Sequence, residues 1–138
     1  MSKRTLRNLL AAAVIVVAPA AFAQMMMGPA MTADTTLGTV LVGPEGMTLY
    51  TWDNDEPGVS NCYGGCANNW PPFYVEDAAM ADDDWTIVER TDGTQIWAYH
   101  GLPLYYFIND TAPGDVNGNQ PDGTWHAVMV GAMDGGGM

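Results

Sequence analysis

The sequence predicts a mostly β, all-β-class protein: a small, antiparallel, internally duplicated domain with one loop pinned by a disulfide. The first observation is a repeat at a spacing of 55 residues, in which Leu49-Tyr50 returns as Leu104-Tyr105 and Trp70 as Trp125. Gly, aromatic and Asp residues dominate the matches, which indicates one structural unit used twice. The second observation is that short β-branched and aromatic segments, bounded by Gly and Pro, outnumber helical patterns.

The N-terminus has the organisation of a secretory signal over residues 1–23. A basic stretch precedes an apolar run over 9–18, which is too short to span a bilayer. An Ala21-Phe22-Ala23 cleavage site follows, so the mature chain is expected to begin at Gln24.

The rest of the chain divides into a lead, one domain and a tail. Residues 24–36 are Met-rich with little periodicity, and we expect a flexible lead there. Residues 131–138 are Gly-rich, and we expect a flexible tail. The single domain then spans 37–130. Its repeat units lie at about 38–72 and 93–130, and each is too small to bury a stable core alone.

Six segments of this domain carry strand signals. The predicted strands are 39–42, 47–53, 85–89, 95–99, 103–109 and 124–130. Gly-containing loops at 43–46 and 91–93 predict two hairpins. Helix signals are confined to 62–69 and 78–83, which could hold a turn or two and leave an α+β fold as the alternative.

The balance of charge limits the partners of the chain. Its net charge is −12, and removal of the signal leaves Arg90 as the one Lys or Arg against 16 Asp and Glu. Such a surface repels phosphate backbones and anionic membranes, and it attracts cations. We therefore expect no nucleic-acid binding and no membrane insertion after cleavage.

Cys62 and Cys66 are the 2 cysteines of the chain, and both follow the signal. An exported protein meets an oxidising compartment, where a disulfide between them is favoured. The C-x-x-x-C spacing allows a local turn to bring the two Cα atoms within about 4.4–6.8 Å. We expect this bond to pin the irregular segment between the two halves.

The repeated core is a Tyr-x-aromatic-x-x-Asp motif. Its residues are Tyr50, Trp52 and Asp55 in the first copy and Tyr105, Phe107 and Asp110 in the second. On a strand, positions i and i+2 share a face, so each copy presents two neighbouring rings. In one interpretation the aromatics are core and each Asp closes the Pro-Gly turn that follows it. In the other, the rings form a shared cleft whose two carboxylates help to hold a ligand.

At these residues the chain resembles the bacterial secreted-repeat proteins, often described as predicted lipoproteins with a Yx(FWY)xxD motif. The matching segments are 49–55, 60–66, 70–72, 92–94, 97–99, 101–110 and 123–126. The resemblance implies an exported cell-envelope protein with no established catalytic residues. Many members carry a lipobox Cys, whereas this chain has no Cys just after its apolar run, which favours a soluble periplasmic or secreted form.

Metal binding is an alternative that the residue types leave open. The candidate ligands for Cu(I), which prefers soft donors, are Met25, Met26, Met27, Met31, His100 and His126. Segment 115–119 resembles the start of a calcium loop, but Gln120 and His126 stand where an EF-hand has Gly and Glu. The plainer interpretations are unselected methionines and a turn at Asn117-Gly118. We expect no cofactor, with copper or calcium as alternatives.

Catalytic motifs are missing from the sequence. It has no G-x-S-x-G elbow, and C-x-x-x-C is neither the thioredoxin nor the haem-attachment spacing. The sequence therefore predicts a non-catalytic envelope module that binds a protein or a small ligand through its aromatic and acidic surface. The alternative is a periplasmic metal handler, with Cu(I) on Met and His or a hard cation on Asp. An enzyme is the third hypothesis.

Overall fold

The secondary structure comes from a computed structural model that describes residues 25–131. The predicted signal over 1–23 lies outside the described residues, as does the predicted tail beyond residue 131. The strands are β1 Met26–Met27, β2 Ala30–Thr35, β3 Gly38–Val42, β4 Tyr50–Trp52, β5 Trp85–Glu89, β6 Gln95–Tyr99, β7 Leu102–Pro103 and β8 Trp125–Ala127. A short helix, α1 (Gly65–Asn69), and a 3₁₀ turn over Ala78–Met80 complete the elements. The predicted mostly β class is confirmed.

The strands form three small antiparallel sheets. β1, β2 and β3 lie side by side in that order, as do β5, β6 and β7. β4 pairs with β8, so the first half of the chain shares a sheet with the end of the second half. The predicted hairpins are present: Val42 pairs with Thr48 around the first loop, and Glu89 with Gln95 around the second.

Met26–Met27 and Ala30–Thr35 form strands, which corrects the prediction of a flexible lead over 24–36. β2 pairs with β3 over five residues, from Met31 opposite Val42 to Thr35 opposite Gly38. The inward positions of β2 include Ala30, fully buried, and Thr32, nearly so. These small side chains give little hydrophobic periodicity, which explains why the strand signal is weak in the sequence.

Each copy of the repeat begins one strand earlier than predicted, because β2 corresponds to β5 and β3 to β6. Val130 donates its backbone N–H to Thr39 in β3. Val75, which lies 55 residues before Val130, donates to Gln95 in β6, one residue beyond the repeat equivalent of Thr39. The predicted unit boundaries of 38–72 and 93–130 are therefore corrected to units that start at β2 and β5.

The strands that carry the aromatic motif are shorter than predicted. The segment 103–109 contributes only the end of β7 and single-residue bridges from Tyr105 to Tyr50 and to Pro72. The chain then turns, since Asp110 donates its N–H to the carbonyl of Phe107. Tyr105 thus bridges Tyr50 on one side and Pro72 on the other, whereas the residues directly after it form no strand.

Two clusters of buried side chains form the core, and residues adjacent in the chain enter different clusters. Leu49 belongs to one cluster and Tyr50 to the other, and the pair Leu104 and Tyr105 repeats this division. The chain is therefore buried on both sides at these two positions, and the division follows the internal repeat. The predicted Cys62–Cys66 disulfide is present, with its Cα atoms 5.3 Å apart, and it closes the turn that enters α1.

Candidate functional site

Tyr50 and Tyr105 meet at the centre of the molecule. The N–H of Tyr50 donates to the carbonyl of Tyr105 at 2.8 Å, and the N–H of Tyr105 donates to the carbonyl of Tyr50 at 3.0 Å. Both side chains are fully buried. This reciprocal pair places the two copies of the motif around an approximate twofold axis.

Each motif aspartate bonds the tyrosine of the other copy. The Tyr105 hydroxyl donates to Oδ2 of Asp55, and the Tyr50 hydroxyl donates to Oδ2 of Asp110, both at 2.6 Å. The two carboxyl groups belong to residues that are only 7% exposed. Burial raises the pKa of Asp55, and burial together with the bond to Asp110 raises the pKa of Tyr50.

The second oxygen of each carboxylate closes the loop that follows it. Oδ1 of Asp55 accepts the N–H of Asn61 at 2.7 Å, and Oδ1 of Asp110 accepts the N–H of Asn117 at 2.9 Å. Each loop contains a Pro-Gly turn, as the first interpretation of the motif requires. Both oxygens of each aspartate therefore bond to donors of the chain itself.

Four aromatic rings form a continuous stack across the axis. Their order is Trp52, Trp125, Trp70 and Phe107, with successive ring centroids 5.1, 3.8 and 4.2 Å apart. The two middle rings are buried, whereas the two outer rings are half-buried. The repeat relates the middle pair to each other and the outer pair to each other, so the stack joins the two copies.

Arg90 is buried beside the first copy of the motif. Its Nη1 donates to Oγ of Ser60 at 2.7 Å, and its guanidinium lies 4.0 Å from the ring centroid of Tyr63. Ser60 Oγ is in turn 2.6 Å from the Tyr105 hydroxyl. Nε finds no hydrogen-bond partner in the described part of the chain and lies 3.9 Å from Asp92. The guanidinium therefore belongs to the core.

A cavity of about 580 Å³ opens on the surface between the loop 43–48 and the segments 72–80 and 106–110; we refer to it as the cleft. Phe73, Trp97 and Tyr106 are among its aromatic lining residues. Tyr74 and Ile108 also line it and are 48% and 55% exposed. The cleft is therefore an accessible apolar surface.

Three exposed carboxylates line the cleft. Glu45, Glu76 and Asp77 are exposed and contribute to its lining. Burial raises the pKa of Tyr106 to about 12, and the charges of Glu45 and Glu76 add to that shift. The phenol of Tyr106 is thus neutral at physiological pH.

The cleft reflects divergence between the two copies. The second copy has Tyr106, Phe107 and Ile108 where the first copy has Thr51, Trp52 and Asp53. An apolar wall in one copy is therefore replaced by a mixed surface in the other, where Asp53 bonds His126 at 3.1 Å.

The motif contributes to the cleft only through Phe107 and Asp110, so this cleft does not contain both motif carboxylates. Sequence reasoning missed Tyr74, Tyr106 and Ile108. The available signal was the unbroken apolar run 104–108, which departs from the alternation expected of a half-buried strand.

The candidate metal ligands lie in different places. Met26 is the cross-strand partner of Met31, and Met27 that of Ala30. His100 Nε2 is 3.1 Å from Asp84, and His126 Nε2 is at the same distance from Asp53. Within residues 25–131, no three His, Cys, Asp or Glu side chains come together as a metal-binding group.

The predicted calcium segment is internally bonded at its first residue. Oδ2 of Asp115 accepts the N–H groups of Thr111 and Ala112 at 2.9 and 3.1 Å. These bonds lower the pKa of Asp115. Asp115 thus closes the loop that precedes it.

Comparison with known proteins gave one family. A family model described as a secreted repeat of unknown function matches the chain twice, over 31–74 and 86–129. The matches start within β2 and β5, in agreement with the structural units. Neither the curated proteins nor the solved structures gave a match. Across residues 25–131, every helix is too short or too polar to cross a membrane.

Proposed function

The chain belongs to the family of secreted repeats of unknown function, and on that premise we propose that this exported protein is a non-catalytic binding module whose cleft takes a small ligand. The observation that carries the proposal is the cleft itself. Its volume of about 580 Å³ falls within the usual range for small-molecule sites, and exposed large apolar side chains line it. Exposed apolar surface of this kind marks contact sites.

A binding role fits the use that the chain makes of its polar groups. The motif aspartates are bonded to tyrosines and to backbone N–H groups, which favours a structural role for them over acid–base chemistry. The Cys62–Cys66 disulfide suits an oxidising compartment. We place the protein in the periplasm or outside the cell, with the signal cleaved after Ala23.

The test uses a neutral apolar dye whose fluorescence rises when it leaves water, added to residues 24–138. We expect saturable binding that Ile108→Asp abolishes, because the substitution places a charge in the apolar wall. Val59→Asp is the matched control, since Val59 is 43% exposed and does not line the cleft. Equal binding by the two variants, or no saturable binding by the wild-type chain, would refute the proposal.

Copper handling is the second candidate, and the pairing of Met26 with Met31 favours it. Cross-strand partners share one face of a sheet, so two thioethers lie on the same side, with Met25 next in the chain. Soft thioethers select Cu(I). A Cu(I) titration against a competing chelator tests it. The triple variant Met25→Leu, Met26→Leu and Met31→Leu should lose uptake, whereas Met80→Leu should keep it; equal uptake by both rules the site out.

A further inference from the structure

We infer that the cleft selects a small organic cation with an apolar body, such as a quaternary ammonium group attached to aromatic rings. The inference rests on the proposed function and names the class of ligand for the same site. It is carried by the combination of aromatic walls, a carboxylate rim and the location of the chain's basic groups.

The aromatic rings of the cleft suit a desolvated cation. Tyr74, Tyr106 and Phe107 lie among its lining residues, and aromatic faces attract ammonium groups within about 6 Å of the ring centroid. The phenol of Tyr106 keeps its proton because burial raises its pKa to about 12, so this ring remains a neutral partner.

The exposed carboxylates of the cleft, which we call its rim, add negative charge. Glu45, Glu76 and Asp77 line the cleft, and among residues 25–131 the only Lys or Arg is Arg90, which is buried against Ser60 and Tyr63. A neutral ligand would gain no charge attraction from these carboxylates, and an anion would be repelled by them. Charge complementarity therefore favours a cationic occupant.

The carboxylates do not converge as they would on a metal ion. In the described part of the chain no three acidic, His or Cys side chains group in that way, so these carboxylates line the cleft without forming a cage of oxygens. Hard cations require six or more oxygen ligands. An extended organic cation matches both the apolar interior and the dispersed charges.

The experiment compares three probes that share a biphenylmethyl body: biphenylmethyl-trimethylammonium, its uncharged carbon isostere of the same shape, and the corresponding carboxylate. Each is titrated into residues 24–138 at low ionic strength and at high NaCl. We expect the ammonium probe to bind about tenfold more tightly than the neutral isostere at low salt, with the ratio shrinking as NaCl rises. The carboxylate should bind most weakly.

Two double variants test whether the carboxylates of the cleft cause the preference for the ammonium probe. The double variant Glu45→Gln, Glu76→Gln should bring the ratio of the affinities for the ammonium probe and the neutral isostere close to one. Its affinity for the neutral isostere should be unchanged. Glu56→Gln with Glu89→Gln removes the same charge from exposed residues away from the cleft and should preserve the ratio. An equal drop in both double variants would assign the preference to the net charge of the protein and overturn the inference.

The two proposals fail in different ways. If the neutral isostere binds as tightly as the ammonium probe, the inference is wrong and the binding module stands. If no probe binds the wild-type chain, both are refuted.

Discussion

The hydroxyl of Tyr50 donates a 2.6 Å hydrogen bond to Oδ2 of Asp110, which lies in the other copy of the repeat. Tyr105 and Asp55 make the same bond in the opposite sense. The loop closed by each aspartate is therefore anchored to a tyrosine that the other copy supplies. In each of these two bonds, one copy supplies the tyrosine and the other supplies the aspartate.

Tyr50→Phe should lower the free energy of unfolding by about 1–3 kcal/mol, because it leaves the buried Asp110 carboxylate and the N–H of Gly118 each without one partner. Tyr105→Phe should lower the free energy of unfolding by a similar amount, because it removes the matching bond to Asp55. Urea denaturation monitored by Trp fluorescence measures the change. Tyr74→Phe, at an exposed position, should change stability by less than about 0.5 kcal/mol. Equal values for Tyr50→Phe and Tyr74→Phe would contradict the assignment.

The two halves should be unable to fold separately. Residues 24–80 or 81–138 alone would expose half of the aromatic stack and leave Asp55 or Asp110 without its tyrosine. We expect each fragment to show a disordered far-UV circular dichroism spectrum, and an equimolar mixture to recover the β signal. A cooperative melt from either fragment alone would show that one copy suffices.

Gly118→Ala should destabilise the protein by about 1–3 kcal/mol. A Cβ at this position would lie 2.8 Å from the ring of Trp70 and 2.9 Å from that of Tyr50, both packed in the core. Gly65→Ala is the control, since a Cβ there meets nothing within 4 Å and Ala suits the start of α1. Thermal melts compare the two variants, and similar losses would argue against tight packing at Gly118.

Stability should fall at alkaline pH. Burial raises the pKa of Tyr50, Tyr105 and Tyr106, the last to about 12, from the ordinary value of 10.0. The folded state then holds these protons more tightly than the unfolded state, so this contribution is fully present below pH about 10 and is lost as pH rises toward 12. Urea midpoints between pH 8 and 12 measure it, and Tyr106→Phe should reduce the loss. A flat profile to pH 12 would contradict the prediction.

Several elements follow from local chemistry and were predictable. β5 and β6 occupy the predicted residues, because β-branched and aromatic side chains flank a Gly-containing turn. The Cys62–Cys66 bond follows from short spacing in an exported chain. β2 was not predictable in this way, because Ala30 and Thr32 are too small to produce an apolar period, and their burial depends on the folded structure.

The sequence by itself determined the repeat, the β class, the acidic charge and the disulfide, since these depend on residue types and their spacing. Tertiary structure alone decided how the motif is used. The tertiary structure pairs each motif tyrosine with the aspartate of the other copy, because antiparallel contact around the twofold axis places Tyr50 beside Tyr105. It also decided where the cleft opens: the loop near Glu45 and the wall at Ile108 are distant in sequence, and only folding brings them together.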